Sequence, residues 1–230
     1  MVSSEQLEIG AVVVAAGKSQ RMGNVDKIFA PLAGQPVLLC ALEPLIDCID
    51  IDRIVVVLNA RNYDEGKELI VSQNWEKEVG VCYGGRRRQD SVIAGLKKLG
   101  GCDYVVIHDG ARPLLTVDLI EEALRIAMET GAAIPAVPLT DTIKLADKDM
   151  YVQSTLNRDS LWLCQTPQAF QYEMLMKAYQ EAKEDVTDDA QLIELTGGKV
   201  KLFMGSYDNI KITTPADIAI AETIWKRRIT

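Results

Sequence analysis

The residues best suited to chemistry in this sequence lie in a segment that directly follows the apolar residues 12–14. Residues 15–23 read AAGKSQRMG, so small residues are followed by Lys18 and Arg21, and Lys27 comes shortly afterwards. Small residues let the backbone approach a ligand closely, and exposed N–H groups and cations face the charge of a phosphate. This segment, residues 15–27, is called the first loop, and it predicts a site for the phosphates of a nucleotide.

The first loop fits neither of the two common phosphate-binding motifs. A GxGxxG motif needs glycine where Ser19 stands, and a GxxxxGK[ST] motif needs Gly-Lys after four residues, which this loop lacks. These differences disfavour a Rossmann dehydrogenase and a P-loop kinase. The alternative to a ligand site is an ordinary turn whose lysine and arginine are solvated.

Two aspartates are candidate ligands for a divalent cation. Asp109 ends an apolar strand, and a carboxylate there, facing a phosphate-binding loop, suits Mg²⁺, which proteins hold with one or two carboxylates and substrate phosphates. Asp208 is the weaker candidate. The alternative role for Asp109 is a turn cap paired with Arg112. His108, the single histidine, is interpreted as a hydrogen-bonded residue at the end of the strand.

The composition limits the partners and the compartment. The 230 residues carry a net charge of −8 and are 48% hydrophobic, so the chain can bury a core, and its surface repels nucleic acid and anionic membranes. Five cysteines without CxxC spacing indicate reduced thiols in the cytoplasm and no zinc site. We expect no secretory signal in residues 1–8 and no membrane-spanning segment.

The elements that must position these residues alternate between strands and helices. Strands are predicted at residues 9–16, 53–59, 79–83, 103–108 and 132–139, and helices at 37–46, 64–72, 89–99 and 117–130. This alternation predicts an α/β fold with a mainly parallel twisted sheet flanked by helices. Ligands in such sheets bind beyond the carboxyl ends of the strands. We expect one domain spanning residues 1–230.

The alternation ends near residue 138. Residues 138–158, called the arm, predict a projecting β-hairpin with a turn at residues 147–149. A hairpin is not stable alone, so we expect it to pack against a second subunit of a homodimer, a loose surface hairpin being the alternative. Beyond it, strands are predicted at 161–165 and 199–205, and helices at 172–183, 188–195 and 214–228.

Five segments in order along the chain carry a resemblance to a known family. The first loop contains AAG-x₃-RMG followed by a lysine, a pattern typical of nucleotidyltransferases that activate sugars and alcohol phosphates. The others are GGRRRQDSV at 84–92, HDGARP at 108–113, an R-x₃-W-x₃-TPQ pattern at 158–168 and DNIKIT at 208–213. Together the segments resemble the 2-C-methyl-D-erythritol 4-phosphate cytidylyltransferase family of the non-mevalonate isoprenoid pathway.

The resemblance implies a Rossmann-like nucleotidyltransferase fold and Mg²⁺-dependent transfer of CMP from CTP to methylerythritol 4-phosphate, in a homodimer. It implies two catalytic cations on the triphosphate, Arg21 and Lys27. The alcohol phosphate would be positioned by Arg158, Lys211, Arg112, Thr142 and Thr166. The nucleotide would be surrounded by Ala15, Ala16, Gly17, Gly85 and Ser91. It supports Asp109 as a metal or ligand contact.

Two departures from the family pattern and three alternatives remain. The loop between Arg21 and Lys27 is one residue shorter than in some members of the family. Members of the family usually carry Pro-Lys-Gln where this chain has Asp26-Lys27-Ile28. The carboxylate of Asp26 either weakens triphosphate binding or helps to order the loop. The nearest alternative activity is a ribitol-5-phosphate cytidylyltransferase. A non-catalytic nucleotide-binding sensor is the alternative from another class, and a nucleic-acid-binding module is disfavoured by the acidic pI of about 4.8.

Overall fold

The computed structural model describes residues 7–17, 19–22, 26–181 and 184–228. Its strands are β1 (Ile9–Val14), β2 (Pro31–Leu32), β3 (Gln35–Pro36), β4 (Arg53–Leu58), β5 (Glu78–Tyr83), β6 (Tyr104–Asp109), β7 (Ala132–Pro138), β8 (Lys144–Ala146), β9 (Val152–Thr155), β10 (Trp162–Cys164), β11 (Gln168–Gln171) and β12 (Lys201–Met204). Its α-helices are α1 (Val37–Asp47), α2 (Tyr63–Val71), α3 (Arg88–Leu99), α4 (Val117–Thr130), α5 (Tyr172–Glu181), α6 (Asp189–Leu195) and α7 (Pro215–Arg228).

Eight of the described strands form one mainly parallel sheet. Seven are paired in the order β10-β7-β11-β6-β1-β4-β5, and β12 also pairs with β7. β6, β1, β4 and β5 run parallel to one another, whereas β10 and β11 run antiparallel to their neighbours. The predicted α/β class and the mainly parallel sheet are confirmed.

The sheet is buried on both faces, as expected for parallel strands that are apolar throughout. Val12 and Val13 point to opposite faces of β1 and neither has exposed surface. Side chains of α1, α2 and α4 pack against one face, and those of α3, α5 and α6 pack against the other. Each helix therefore covers the sheet with its apolar side, which leaves the loops at the strand ends free to form a site.

The predicted element boundaries lie within two residues of the observed ones wherever the structure describes both. The end predicted for α5 at Lys183 lies outside the described residues. β11 was missed, because its four residues begin and end with glutamine and show no apolar run, although Ala169 and Phe170 are fully buried. The short β2–β3 hairpin was also missed.

The predicted hairpin in the arm is confirmed. β8 and β9 pair with each other in a separate antiparallel sheet, and all residues of both strands are exposed. Tyr151 and Val152 on this hairpin are 74% and 60% exposed. Packing of the arm against a second subunit remains a prediction. Among the described residues, no helix combines the length and apolar character needed to cross a bilayer.

Candidate active site

The carboxyl ends of β1, β4 and β6 meet at one edge of the sheet. In the strand register, Val14 of β1 lies beside Val57 on one side and Asp109 on the other. The segments that follow these strands, together with the segment after β5, surround a cleft of about 1330 Å³. Parallel topology therefore places the predicted phosphate loop and the predicted metal ligand at the same edge.

Two asparagines after β4 hold the backbone of the first loop. The side-chain amide of Asn62 donates a hydrogen bond to the carbonyl oxygen of Ala15 at 3.2 Å. That of Asn59 donates to the carbonyl of Ala16 at 3.3 Å and to that of Gly17 at 3.5 Å. These contacts fix the three small residues beside the cleft. Sequence reasoning missed both asparagines, although their position at the end of an apolar strand was a usable signal.

The segment after β5 lies against the first loop because glycine permits a close approach. A Cβ atom on Gly84 would lie 2.6 Å from the Cβ of Ala16, a distance that real side chains do not tolerate. The Ser91 hydroxyl accepts a hydrogen bond from the N–H of Gly85 at 3.2 Å and donates to the Arg87 carbonyl at 3.1 Å. The predicted nucleotide-binding residues all line the cleft: Ala15, Ala16, Gly17, Gly85 and Ser91.

Lys27 lines the cleft as well. Burial lowers the pKa of its ammonium group, and the nearby charges of Lys211 and Arg21 lower this pKa further. Arg21 lies in a short 3₁₀ helix, Gln20–Met22, and is exposed. The structure therefore brings Lys27, Lys211 and Arg21 near one another. Lys18 and Gly23 of the motif lie outside the described residues.

Asp109 is surrounded by three cations from separate parts of the chain. Its carboxylate lies 2.7 Å from Lys211 Nζ, 3.6 Å from Arg88 Nε and 3.8 Å from Arg112 Nε. Burial alone would raise the pKa of Asp109, but the charges of Lys211, Arg88 and Arg112 outweigh burial and hold this pKa well below its ordinary value. The predicted pairing of Asp109 with Arg112 is thus one part of a larger cluster.

A smaller space of about 140 Å³, called the inner cavity, adjoins the cleft. Arg88, Asp109 and Lys211 line both spaces, so one charged cluster joins them. The inner cavity brings together three residues predicted to position the alcohol phosphate: Lys211, Arg112 and Thr166. Asp188 also lines it and caps α6 by accepting a hydrogen bond from Gln191 N–H at 3.0 Å.

The sequence did not predict that Arg88 contacts Asp109. Its guanidinium donates a hydrogen bond to Asp189 at 2.7 Å, and Asp189 is fully buried at the start of α6. The Tyr179 hydroxyl donates to the same aspartate. Two buried carboxylates therefore hold Arg88 between α6 and the end of β6. The run of three arginines at 86–88 gave no means of telling which one turns inward.

His108 and Thr166 form a buried hydrogen-bonded chain at the end of β6. His108 Nε2 lies 3.1 Å from the Arg112 carbonyl oxygen, which can only accept, so this nitrogen carries the proton. His108 Nδ1 then accepts from the Thr166 hydroxyl at 3.0 Å, and Thr166 Oγ1 in turn accepts from the Asp109 N–H at 3.0 Å. Burial lowers the pKa of His108 to about 4, so the imidazole is neutral at pH 7. The structural interpretation of His108 is confirmed.

Four predicted site residues do not line the cleft or the inner cavity: Arg21, Thr142, Arg158 and Asp208. The Asp208 carboxylate pairs with Arg227 of α7. Thr142 and Arg158 are exposed on the arm, where Arg158 Nη1 donates to the Thr140 carbonyl at 3.1 Å. Within one chain, Thr142 and Arg158 therefore lie outside both spaces.

The donor set at the cleft suits a metal ion that arrives with phosphates. The Asp109 carboxylate faces the cleft, and its Oδ1 lies 3.6 Å from the nearest ion-pair partner. Among the described residues, the one cluster of three potential metal ligands is Cys48, Asp50 and Glu121, which lies at the amino end of β4, away from the cleft. One carboxylate together with phosphate oxygens is a usual arrangement for Mg²⁺.

Comparisons with known proteins agree at the level of sequence and of structure. A family model described as 2-C-methyl-D-erythritol 4-phosphate cytidylyltransferase matches residues 9–227. A protein of that name from Dehalococcoides mccartyi is 47% identical over 220 residues, covering 96% of this chain and 97% of the relative. One from Alkaliphilus oremlandii is 44% identical over 223 residues, with 94% coverage of each chain.

Solved structures give the same relationship. The crystal structure of 4-diphosphocytidyl-2C-methyl-D-erythritol synthase from Anaerococcus prevotii has a TM-score of 0.85 and 33% identity, and the match covers 97% of this chain and all of that one. The 2-C-methyl-D-erythritol 4-phosphate cytidylyltransferase structure from Thermus thermophilus has a TM-score of 0.77 and 28% identity, with 96% and 100% coverage. The predicted Rossmann-like nucleotidyltransferase fold is confirmed.

Proposed function

This chain belongs to the 2-C-methyl-D-erythritol 4-phosphate cytidylyltransferase family, and we propose that the cleft and the inner cavity hold its two substrates side by side. The enzyme transfers CMP from CTP to methylerythritol 4-phosphate in the non-mevalonate isoprenoid pathway. The products are 4-diphosphocytidyl-2-C-methyl-D-erythritol and pyrophosphate. The observation that carries the proposal is the convergence of Lys211, Arg88 and Arg112 on Asp109 at the cleft that Lys27 also lines.

The chemistry requires charge neutralisation more than proton transfer. An oxygen of the monoester forms a bond to the α-phosphorus of CTP, and the bond from that phosphorus to the bridging oxygen of pyrophosphate breaks. The monoester carries a charge of roughly −1.5 to −2 near neutral pH, so it is already a nucleophile. The obstacle is to bring two polyanions together in line, and fixed cations remove it.

We assign the cleft to CTP. Lys27 and Arg21 contact the triphosphate and stabilise charge that develops in the transition state. Ala15, Ala16, Gly17, Gly85 and Ser91 surround the cytosine and ribose, where small side chains let the nucleotide approach the backbone. Support comes from the hydrogen bonds of Asn59 and Asn62, which hold the first-loop backbone beside the cleft.

We assign the inner cavity to methylerythritol 4-phosphate. Lys211 supplies a compact charge for its phosphate, and the planar fork of Arg112 adds directional donors. Thr166 differs from these two, because its hydroxyl proton is committed to His108. Thr166 therefore accepts a hydrogen bond, and a hydroxyl group of the alcohol is the matching donor.

We propose Mg²⁺ as the metal, held by CTP phosphates with one oxygen from Asp109. Bound there, Mg²⁺ neutralises charge on the phosphates of CTP. Asp208 is the weaker candidate because Arg227 already pairs with its carboxylate. Lys211, on the other carboxylate oxygen of Asp109, keeps that side chain ionised.

We propose that the enzyme is a homodimer in which each arm completes the partner's inner cavity. Thr142 and Arg158 lie on the exposed arm, and so do the exposed apolar side chains of Leu145, Tyr151 and Val152. Burying these apolar groups favours association. Association then brings Arg158 to the substrate phosphate in the partner's inner cavity. Residues 1–230 then form one nucleotidyltransferase domain with a dimerisation arm at about 138–158. Five unpaired cysteines support a cytoplasmic location.

An assay of pyrophosphate release with CTP and each of two alcohols tests the proposal. We expect turnover with methylerythritol 4-phosphate and little with ribitol 5-phosphate. The reverse preference would assign the alternative cytidylyltransferase activity. CTP binding without pyrophosphate release from either alcohol would indicate a nucleotide sensor and overturn the proposal.

A further inference from the structure

We propose that Asp26 is a positioning residue that fixes Lys27 through hydrogen bonds to Ser19 and Asn62. These three side chains are called the Asp26 network. The proposal rests on the role proposed for Lys27 and concerns how this chain places that lysine.

The Asp26 carboxylate connects two ends of the first loop to the segment after β4. Its Oδ1 accepts a hydrogen bond from the Ser19 hydroxyl at 2.7 Å and a longer one from the Ile28 N–H at 3.4 Å. Its Oδ2 accepts from the side-chain amide of Asn62 at 3.0 Å. One side chain thus joins residues 19, 28 and 62, and hydrogen bonds to an ionised acceptor are stronger than neutral ones.

Asn62 is a fixed anchor for this network. It is 2% exposed, and its amide donates both to Asp26 and to the Ala15 carbonyl. Its Oδ1 accepts from the Asn59 N–H at 2.8 Å. Because both amide hydrogens and the oxygen have partners, Asn62 has one favoured orientation. Asp26 is thereby tied to the end of β4.

The network accepts hydrogen bonds from the backbone N–H groups of Lys27 and of the next residue, Ile28. The Ser19 hydroxyl donates to Asp26 and accepts from the Lys27 N–H at 3.3 Å. Ile28, the next residue, is 2% exposed and belongs to the core. Ser19 itself has φ +49°, a left-handed conformation that non-glycine residues rarely adopt without support. The hydrogen bonds of the network supply that support.

The arrangement chooses between the two hypotheses for Asp26. Both of its carboxylate oxygens face donors within the network rather than the lysine side chain. The charge of Asp109 also raises the pKa of Lys27 more than the charge of the adjacent Asp26 does. The hydrogen bonds therefore favour the hypothesis that Asp26 orders the loop.

A double-mutant cycle of Asp26→Asn and Ser19→Ala tests the network. Both residues lie outside the core, so the variants should fold, which thermal unfolding checks. We expect each single variant to lower kcat by about tenfold to 100-fold, as small misplacements of a catalytic group do. The double variant should lose little more, because Asp26→Asn removes the charge that strengthens the Ser19–Asp26 contact and Ser19→Ala removes the contact itself. Asp64→Asn removes an exposed carboxylate of α2 and serves as the control with unchanged kcat.

Two outcomes would overturn the proposal. One is an unchanged kcat and a lower KM for CTP in Asp26→Asn, which would show that the main effect of Asp26 is to repel the triphosphate. The other is an additive double variant. Hydrogen exchange at the Lys27 and Ile28 amides gives a readout besides activity, and it should accelerate in both single variants. Lys27→Ala, assayed in parallel, separates the two levels, since unchanged turnover there rejects the role of Lys27 itself.

Discussion

The ammonium group of Lys211 lies 2.7 Å from a carboxylate oxygen of Asp109, and Arg88 and Arg112 lie on the same carboxylate. Asp109 thus keeps three cations together before any phosphate is present. Removing its charge leaves them to repel one another.

Asp109→Asn is therefore expected to destabilise the free enzyme and to increase its response to a bound anion. The cost should be about 2 kcal/mol, less than for a fully buried pair, because the Lys211 side chain is 38% exposed. Thermal unfolding with EDTA and increasing pyrophosphate measures both effects. If pyrophosphate stabilises Asp109→Asn and the original protein equally, Asp109 does not hold the three cations together.

Lys27→Ala should lower turnover by roughly 10²–10³, the usual loss for one group that stabilises developing charge. The pH dependence gives a second test, because burial and the charge of Lys211 lower the pKa of Lys27. Its charge is lost as the pH rises, so kcat/KM for CTP should fall on the alkaline side. In Lys27→Arg the guanidinium stays charged, and this fall should move to higher pH. Identical pH profiles for the original protein and Lys27→Arg would contradict the role of Lys27 in stabilising the transition state. So would turnover of Lys27→Ala within twofold of the original.

Arg158→Ala should weaken the binding of methylerythritol 4-phosphate and spare CTP, which titration calorimetry with each ligand separates. Arg125→Ala, which removes an exposed arginine from α4, is the matched control. Mixing the impaired Arg158→Ala and Lys27→Ala variants tests the shared site. If the arm of one subunit serves the other, a mixed dimer contains one intact site and one doubly altered site, so activity returns. Equal weakening of both ligands would refute the division of roles, and failure of mixing would place Arg158 in its own subunit's site.

Gly17→Ala tests the nucleotide assignment without disturbing the fold. A Cβ atom on Gly17 meets no described atom within 4 Å, whereas one on Gly84 meets Ala16 at 2.6 Å. We expect Gly17→Ala to leave the unfolding temperature unchanged and to weaken CTP binding at least about tenfold. Gly84→Ala should instead lower stability by roughly 1–3 kcal/mol through overpacking. Undiminished CTP affinity in Gly17→Ala would mean that the nucleotide lies elsewhere.

His108 gives the folded protein a specific sensitivity to acid. Its pKa is about 4 in the folded state because of burial, and about 6.5 in an unfolded chain. The unfolded state therefore binds a proton first as the pH falls, and about 2 kcal/mol of stability should be lost between pH 7 and pH 5. Urea unfolding at both pH values measures this loss, and His108→Gln should reduce it. If the variant loses as much stability between pH 7 and pH 5 as the original protein, His108 is not the source of this loss.

The sequence predicted the parts of this molecule that depend on local patterns. Apolar runs located β1, β4 and β6 to within two residues, and chain order along a parallel sheet placed Lys27 and Asp109 at one edge. The arm was predictable because its turn and alternating residues stand outside the repeating pattern. The topology alone predicted that the cleft lies at the carboxyl ends of the parallel strands.

The contacts between loops could not be predicted, because they depend on where distant segments come together. Asn62 donates to residues 47 and 36 positions away, and Arg88 reaches Asp189 from 101 positions away. The end of an apolar strand marks the position of Asn62, but nothing in the immediate sequence of either residue shows which distant partner it reaches. β11 was missed for a similar reason, since two glutamines frame a buried Ala-Phe pair and its partners lie on β6 and β7.

The pairing of Val14 with Asp109 determines where this chain can change in length. Deleting one residue within β1 or β6 would shift every following side chain to the opposite face of the sheet, so the core and the cleft would be lost together. Residues 148–150 in the turn of the arm are exposed and belong to a separate hairpin, so the turn can gain or lose residues while the catalytic edge stays in place. Insertions and deletions among homologous enzymes should therefore accumulate at that turn and be absent from the two central strands.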